Sequence, residues 1–171
     1  MISNTLKTIF GFMRSFIERR IPIARNSTSI NDIYNYLSID GLFETSGQPN
    51  EEQFALIRQA GYETVINLAP TSTIENSVVN EYEILSALGM EYIHIPVDFK
   101  NPTEDDFSVF IESLKKNTGH KVWVHCAANM RVSAFTYRYR RSILKENNDS
   151  VKADLYKIWK PVGVWKDFII K

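Results

Sequence analysis

"VWVHCAANMRVSAF", residues 122–135, decides the fold, because it leads from a strand to a helix through a short loop that holds the only cysteine of the chain. Its first residues favour β-structure, and the segment from Val132 onward has helical spacing. A thiol at such a junction lies among backbone N–H groups that have no acceptor within the helix. These donors and the helix dipole favour a thiolate and also bind phosphate or sulfate oxygens. The stretch therefore predicts chemistry at Cys126 on an oxyanion ester.

Other segments repeat this alternation of strand and helix. Strands are predicted over 41–47, 62–69, 91–97 and 121–125, and helices over 48–61, 74–89, 103–117 and 132–147, with two short helical segments after them. Such alternation predicts an α/β domain of three layers, in which helices flank a mostly parallel central sheet. Parallel sheets bind ligands at the carboxyl ends of their strands. The loops after Val97 and after His125 are the two candidates for that position.

The N-terminal segment precedes this pattern. Apolar residues at helical spacing, among them Leu6, Phe10 and Met13, predict an amphipathic helix with basic residues on another face. We expect residues 1–29 to form this helix and a polar linker, and residues 30–171 to form the α/β domain. The helix can pack on its own domain or on a second copy, or it can lie on an anionic membrane. Residues 1–25 are therefore a candidate contact with a dimer partner or a membrane surface.

The charge of the chain gives no reason to expect a nucleic-acid partner. Twenty basic residues balance twenty acidic ones, so any anion site must be local. The segment "TYRYRR" (136–141) interleaves aromatic and basic residues, but at helical spacing it predicts a buried stripe and a solvated face. The predicted stripe is Phe135, Tyr139 and Ile143, and the predicted solvated face is Arg138, Arg141 and Lys145.

One cysteine cannot form an internal disulfide, which fits a reducing compartment. No apolar run approaches the roughly 20 residues needed to cross a bilayer, and the N-terminus has no secretory pattern. The sequence thus predicts a cytoplasmic protein. Three scattered histidines and one cysteine form no metal motif, so neither a metal nor a cofactor is expected.

The residues "VHC", followed by Arg131 and Ser133 after a strand, resemble the phosphate-binding loop of the protein tyrosine and dual-specificity phosphatase superfamily. The stretches "LFETSGQPNEEQFALIRQAGYETVINLAP" and "LGMEYIHIPVD" resemble small bacterial tyrosine-phosphatase-like proteins, and the similarity covers about residues 36–170. The resemblance implies a dual-specificity-phosphatase-like fold. It also implies hydrolysis of a phosphate monoester, carried by a phosphorylated protein or a small molecule, through a phosphocysteine and without a cofactor.

The resemblance implies a role for each matching residue. Cys126 would attack phosphorus, Arg131 would hold the phosphate oxygens, and Asp98 would protonate the leaving oxygen. Ser133 would help the thiolate to leave, and His125 would support the loop. Asn129, near the usual glycine position, tolerates a left-handed backbone. The predicted loop and its support comprise His125, Ala127, Ala128, Asn129, Met130, Val132 and Ser133.

The spacing between cysteine and arginine departs from the family pattern. Five residues separate them in the family, and four separate Cys126 from Arg131 here. Either Arg131 stands one position early while Ser133 keeps its place, or the loop is one residue short. Two other functions therefore stay open: a phosphate- or sulfate-binding module without turnover, and a rhodanese-like sulfurtransferase, whose loop has this shorter spacing.

Overall fold

The computed structural model describes residues 3–20, 29–39, 41–71 and 80–171. Its helices and strands are α1 (Asn4–Arg20), β1 (Leu37–Ile39), β2 (Phe43–Ser46), α2 (Glu51–Gln59), β3 (Thr64–Asn67), α3 (Glu81–Ala87), β4 (Glu91–His94), α4 (Glu104–Lys116), β5 (Val122–His125), α5 (Met130–Ser142), α6 (Asn148–Ile158) and α7 (Val164–Ile170). Most of the linker predicted before the domain, and the start of the helix predicted over 74–89, lie outside the described residues.

The described strands form one five-stranded sheet in the order β1-β2-β5-β3-β4. Strands β2, β5, β3 and β4 run parallel, and β1 pairs antiparallel with β2. The predicted mostly parallel sheet is thus confirmed, and β5 lies at its centre. The edge strand β1 was not predicted, because three residues are too few to show an alternating pattern.

Helices cover both faces of the sheet, which confirms the three layers. Along β5 the side chains alternate: Val122 and Val124 pack on one face with Phe135 of α5, and Trp123 packs on the other with Phe54 of α2. All five side chains are almost completely buried. This period of two, with both sets of residues apolar, is what a strand buried on both faces requires.

Local capping sets the starts of two helices where the sequence predicts them. The side chain of Asn50 accepts a hydrogen bond from the backbone of Gln53, whose side chain accepts one from Asn50 in return. Thr103 and Asp106 make the same reciprocal pair at the start of α4. Each pair satisfies backbone donors that the first turn leaves without a partner. Gly89 ends the α3 segment at a φ of 67°, a conformation that costs glycine little.

The C-terminal aromatic residues belong to the core cluster on one face of the sheet, and two of them also hold other segments in place. The indole Nε1 of Trp165 donates to the carbonyl oxygen of Phe99 at 2.8 Å. The indole of Trp159 donates to the carbonyl oxygen of Met130 at 3.1 Å. Both indoles are almost fully buried. Helix α7 and the end of α6 thereby fix the loop after β4 and the start of α5, which face each other across the site described below.

The prediction for the outer face of α5 is wrong at Arg138. Its side chain is buried, with the guanidinium carbon 4.2 Å from the ring centre of Phe107 and Nη1 3.1 Å from Glu104. Ile143, predicted to be buried, is 42% exposed. Helix α7 explains the first difference, because it covers the face of α5 on which Arg138 lies, and Phe168 of α7 also contacts the guanidinium.

Helix α1 packs on its own domain, on α6, but not through the whole of its apolar stripe. Thr8 is buried against the domain, whereas Leu6, Phe10 and Met13 are about half exposed or more. Among the described helices, α1 included, none is both long enough and apolar enough to cross a membrane.

Candidate active site

The site lies at the carboxyl ends of three neighbouring parallel strands. In the register of the sheet, His125 of β5 stands between Ser46 of β2 and Asn67 of β3. Cys126 follows immediately, and its side chain is 1% exposed. Its backbone N–H donates to the carbonyl oxygen of Ser46 at 3.4 Å. The sheet therefore delivers the cysteine to the edge where α/β proteins bind ligands.

The Cys126 loop, residues 126–129, is held by the segment that follows β2. The backbone N–H of Gln48 donates to the carbonyl oxygen of Ala127 at 3.2 Å. Gly47 forms an isolated bridge with Ala128, whose carbonyl oxygen also accepts from the side chain of Asn35 at 3.0 Å. Because the carbonyl oxygens of Ala127 and Ala128 accept these hydrogen bonds, the loop is anchored to the domain at two successive residues. Such anchoring gives the loop a defined shape before any ligand binds.

Asn129 closes the loop in the left-handed conformation, with φ of 61° and ψ of 5°. Its side-chain Nδ2 donates to the carbonyl oxygen of Asn35 at 2.8 Å and to the hydroxyl of Thr45 at 3.0 Å. Asparagine tolerates this backbone better than other side chains except glycine, and here the side chain also tethers the loop to β2. The backbone conformation expected for Asn129 is therefore found.

Helix α5 begins at Met130, two residues earlier than the helical spacing predicts. Arg131 consequently lies in the first helical turn, and Val132 points into the core, where it is fully buried. The N–H groups of this first turn have no acceptor within the helix, and the dipole places partial positive charge there. Of the four residues that separate Cys126 from Arg131, the last one, Met130, thus already belongs to α5.

Arg131 is 2% exposed and lies close to the loop after β4. Its Nε donates to the carbonyl oxygen of Val97 at 2.9 Å, and its guanidinium carbon lies 5.1 Å from the ring centre of Phe99. These contacts orient a planar group that carries several further N–H donors. A guanidinium held in this way is suited to bind two oxygens of a phosphate or sulfate.

Cys126 and Arg131 line one pocket with a volume of about 170 Å³. The rest of its lining is apolar and comes from three parts of the chain: the Cys126 loop with the start of α5, the loop after β4, and α1. The Cys126 loop and the start of α5 contribute Ala127, Ala128 and Met130. The loop after β4 contributes Phe99, and α1 contributes Ile9 and Phe12. The sequence predicted the first group, but no local signal connected α1 with the cysteine.

A buried polar network supports the loop from behind. Nε2 of His125 lies 2.8 Å from Oε1 of Glu81, which also accepts from the side chain of Asn67 at 3.2 Å. Oε2 of Glu81 accepts from Nε2 of Gln48 at 2.8 Å. Burial raises the pKa of Glu81, but the charge of His125 and hydrogen bonds from His125 and Gln48 outweigh it and hold the pKa below its ordinary value. A buried carboxylate thus fixes the residue before the cysteine.

Sequence reasoning missed Glu81, Gln48 and Asn67. Each lies at the end of a strand or the start of a helix, where a polar side chain is usually solvated or caps a helix. Their shared burial beside His125 indicates their role, and this burial can be recognised only once the strand order is known.

The side chains of Asp98 and Ser133 make hydrogen bonds to backbone groups that are near them in the chain. Asp98 is exposed, and its Oδ1 accepts from the backbone N–H of Lys100 at 2.9 Å. Its neighbours Val97 and Phe99 both contact Arg131. The hydroxyl of Ser133 donates to the carbonyl oxygen of Met130 at 3.1 Å. The roles that the resemblance implies for these two residues stay predictions.

Comparisons with known proteins agree with this architecture. The family model described as a DSP-PTPase phosphatase fused to NAD⁺ kinase matches residues 20–160. A DUF442 protein of known structure from Shewanella putrefaciens CN-32, described as a phosphatase, is 33% identical with a TM-score of 0.74, over 82% of this chain and 92% of that one. The catalytic core of the PP-IP phosphatase SIW14 from S. cerevisiae shares the fold, with a TM-score of 0.66 at 14% identity over 81% of this chain and 85% of that one.

A curated relative, a beta-lactamase hydrolase-like protein of Xylella fastidiosa, is 34% identical over 88 residues. The match covers 50% of this chain and 20% of that protein. The matched half of the chain therefore covers about a fifth of the length of this relative.

Proposed function

Because the chain belongs to the DSP-PTPase phosphatase family, we propose that it hydrolyses phosphate monoesters through a phosphocysteine. The observation that carries the proposal is the pocket in which Cys126 and Arg131 meet at the first turn of α5. A thiolate, a guanidinium and the partial positive charge at the start of α5 together suit an attack on phosphorus. The substrate class is a phosphorylated protein or a small phosphate ester.

The proposed reaction has two steps, and both balance without a metal or a cofactor. The thiolate of Cys126 attacks phosphorus and forms an S–P bond while the P–O bond to the leaving group breaks. Asp98, as the acid, gives its proton to the leaving oxygen. In the second step Asp98, now a carboxylate, takes a proton from water as the water oxygen attacks phosphorus. Phosphate leaves, and Cys126 returns as the thiolate, helped by Ser133.

Arg131 is proposed to hold the phosphoryl oxygens in both steps. Its bond to the carbonyl oxygen of Val97 supports this role, because it fixes the guanidinium and leaves the direction of its remaining donors defined. The carbonyl oxygen that accepts this bond belongs to Val97, the residue before Asp98, which supports Asp98 as the acid.

A binding module without turnover is the second candidate, and the exposure of Asp98 favours it. Such a module would keep the Cys126 loop and Arg131 and would lack a positioned acid. A sulfurtransferase would instead carry a persulfide on Cys126. Contact of residues 1–25 with a membrane or a second copy, and a cytoplasmic location, stay predictions.

The test is hydrolysis of para-nitrophenyl phosphate between pH 5 and 8 by the wild type, Cys126→Ser, Arg131→Lys and Asp98→Asn. We expect Cys126→Ser to abolish turnover. Asp98→Asn should lower kcat on the order of a hundredfold and should remove the pH dependence of kcat that a general acid imposes. Asp105→Asn, an exposed acid in the first turn of α4, is the matched control and should leave kcat unchanged.

Turnover that survives Cys126→Ser would exclude the phosphocysteine. Phosphate binding without any turnover in the wild type would select the binding module. Thiocyanate formed from thiosulfate and cyanide, with a persulfide mass on Cys126, would select the sulfurtransferase.

A further inference from the structure

Helix α1 contributes to the pocket although most of it lies outside the part of the chain that the family model matches. The match begins at residue 20, and α1 spans Asn4–Arg20. Its residues Ile9 and Phe12 nevertheless line the same pocket as Cys126. The wall that they form therefore lies outside the residues that the family model matches.

Specific hydrogen bonds hold α1 in this position. Thr8 is 3% exposed, and its hydroxyl donates to the carbonyl oxygen of Ile158 at the end of α6. The hydroxyl of Tyr34 donates to the carbonyl oxygen of Thr8. The backbone N–H of Lys160 donates to the hydroxyl of Thr5 at 2.9 Å. These hydrogen bonds to separate parts of the domain fix the position of the helix, because hydrogen bonds are directional. Apolar contacts are not directional and would allow the helix to shift along the surface.

Tyr34 connects this docking to the cysteine. Its ring packs against Gly11 of α1 and against Gly47 beside the Cys126 loop. Burial, and the nearby Cys126, raise the pKa of Tyr34 above its ordinary value. One side chain thus touches both the helix and the segment that anchors the loop.

The pocket beneath α1 is apolar and small. Of the eight described residues that line it, Arg131 is the only one with a basic side chain. A volume of about 170 Å³ is close to that of a cavity of roughly 150 Å³ that binds benzene. Ligands with several phosphate groups would need several cations in the walls, which these lining residues do not supply.

We propose that α1 forms a binding site for the apolar ester group of the substrate, a group about the size of one aromatic ring, with Ile9 and Phe12 in contact with it. The inference rests on the proposed function, because the phosphoryl group must lie at Cys126 and Arg131. Ile9 and Phe12 are then specificity-determining residues outside the family-matched region. They discriminate between esters by the apolar surface that they remove from water.

The test compares two phosphonates that cannot be hydrolysed, phenylphosphonate and methylphosphonate, by calorimetry on the full chain. Their charged groups are alike, so the ratio of their affinities reports the apolar site alone. We expect phenylphosphonate to bind the wild type roughly tenfold more tightly, as burial of about half of one ring implies. Phe12→Gln should lower this ratio to about two and leave the affinity for methylphosphonate unchanged.

Phe10→Gln is the matched control, because Phe10 lies on the same helix, is 63% exposed and does not line the pocket. It should keep the wild-type ratio. Ile9→Asn is a second variant at a partly exposed position and should also lower the ratio, which keeps the test decisive if Phe12→Gln fails to fold.

A ratio near one in the wild type, or a ratio that neither Phe12→Gln nor Ile9→Asn changes, would overturn the inference while the proposed phosphatase function stands. If neither phosphonate binds, both the inference and the proposed phosphatase function would be overturned. Selective binding of phenylphosphonate without hydrolysis of para-nitrophenyl phosphate would overturn only the catalytic function and support the apolar site.

Discussion

Replacement of Glu81 by glutamine tests the buried network behind the cysteine. The side chain of Glu81 is 4% exposed and accepts hydrogen bonds from His125, Gln48 and Asn67. Glu81→Gln keeps the shape and removes the charge. One of its two oxygens becomes an NH₂ group, which would meet either the amide donor of Gln48 or the donors of His125 and Asn67.

The expected loss of stability follows from these bonds. A hydrogen bond to a charged group contributes about 1.5–3 kcal/mol, against about 1 kcal/mol for a neutral one. Glu81→Gln would weaken two of these hydrogen bonds and lose the third. The free energy of unfolding should therefore fall by about 3 kcal/mol, which is at the lower end of the values for broken buried ion pairs. With a urea m-value of roughly 2–3 kcal/mol/M for a chain of this size, the unfolding midpoint at pH 7 should fall by about 1 M.

The loss should also depend on pH. The folded-state pKa of Glu81 is held below its ordinary value of 4.5. The stability contributed by the carboxylate is therefore fully present above the unfolded-state pKa and is lost as pH falls through the folded-state pKa. The difference between the free energies of unfolding of wild type and Glu81→Gln should therefore narrow as pH falls below 4.5.

Urea unfolding followed by tryptophan fluorescence between pH 3.5 and 7 measures this difference. Glu83→Gln is the matched control, since Glu83 is exposed on the same helix. Its free energy of unfolding should stay within about 0.5 kcal/mol of that of the wild type. Equal midpoints for the wild type and Glu81→Gln at pH 7 would refute the argument. So would a difference that persists unchanged at the lowest pH.

Two further predictions concern the loop and α1. Asn129→Asp should destabilise the fold by about 2 kcal/mol, because a carboxylate oxygen would replace the donor that faces the carbonyl oxygen of Asn35; wild-type stability in urea would contradict this. Gly11→Ala should lower stability by about 1 kcal/mol although alanine favours helices, since the added Cβ would lie 2.5 Å from the Tyr34 ring. An increase in its urea midpoint would show that α1 can shift away from Tyr34.

Local features were predictable because they depend on residues that are neighbours in the chain. The capping pairs Asn50–Gln53 and Thr103–Asp106 lie within one helical turn. The strand that leads to Cys126 shows its apolar character in three consecutive residues, Val122, Trp123 and Val124. The family resemblance also lies in continuous stretches of sequence, so family and fold could be predicted without coordinates and are confirmed.

Errors arose where a distant part of the chain changes the surroundings of a residue. Arg138 has the spacing of a solvated position, but Glu104, 34 residues away, and the rings of Phe107 and Phe168 surround it. The early start of α5 at Met130 is similar. The bond from Trp159 to the carbonyl oxygen of Met130 comes from 29 residues further along the chain, and no periodicity within α5 contains that information.

The sequence by itself determined the α/β class, the position of Cys126 between strand and helix, and the left-handed loop residue Asn129. These follow from side-chain periodicity, helix capping and backbone preference, which act over a few residues. Only the tertiary structure decided that Glu81 lies against His125, 44 residues away, and that Ile9 and Phe12 line the same pocket as Cys126. Such contacts depend on strand order and helix docking, and their free energy arises only when distant segments exclude water together.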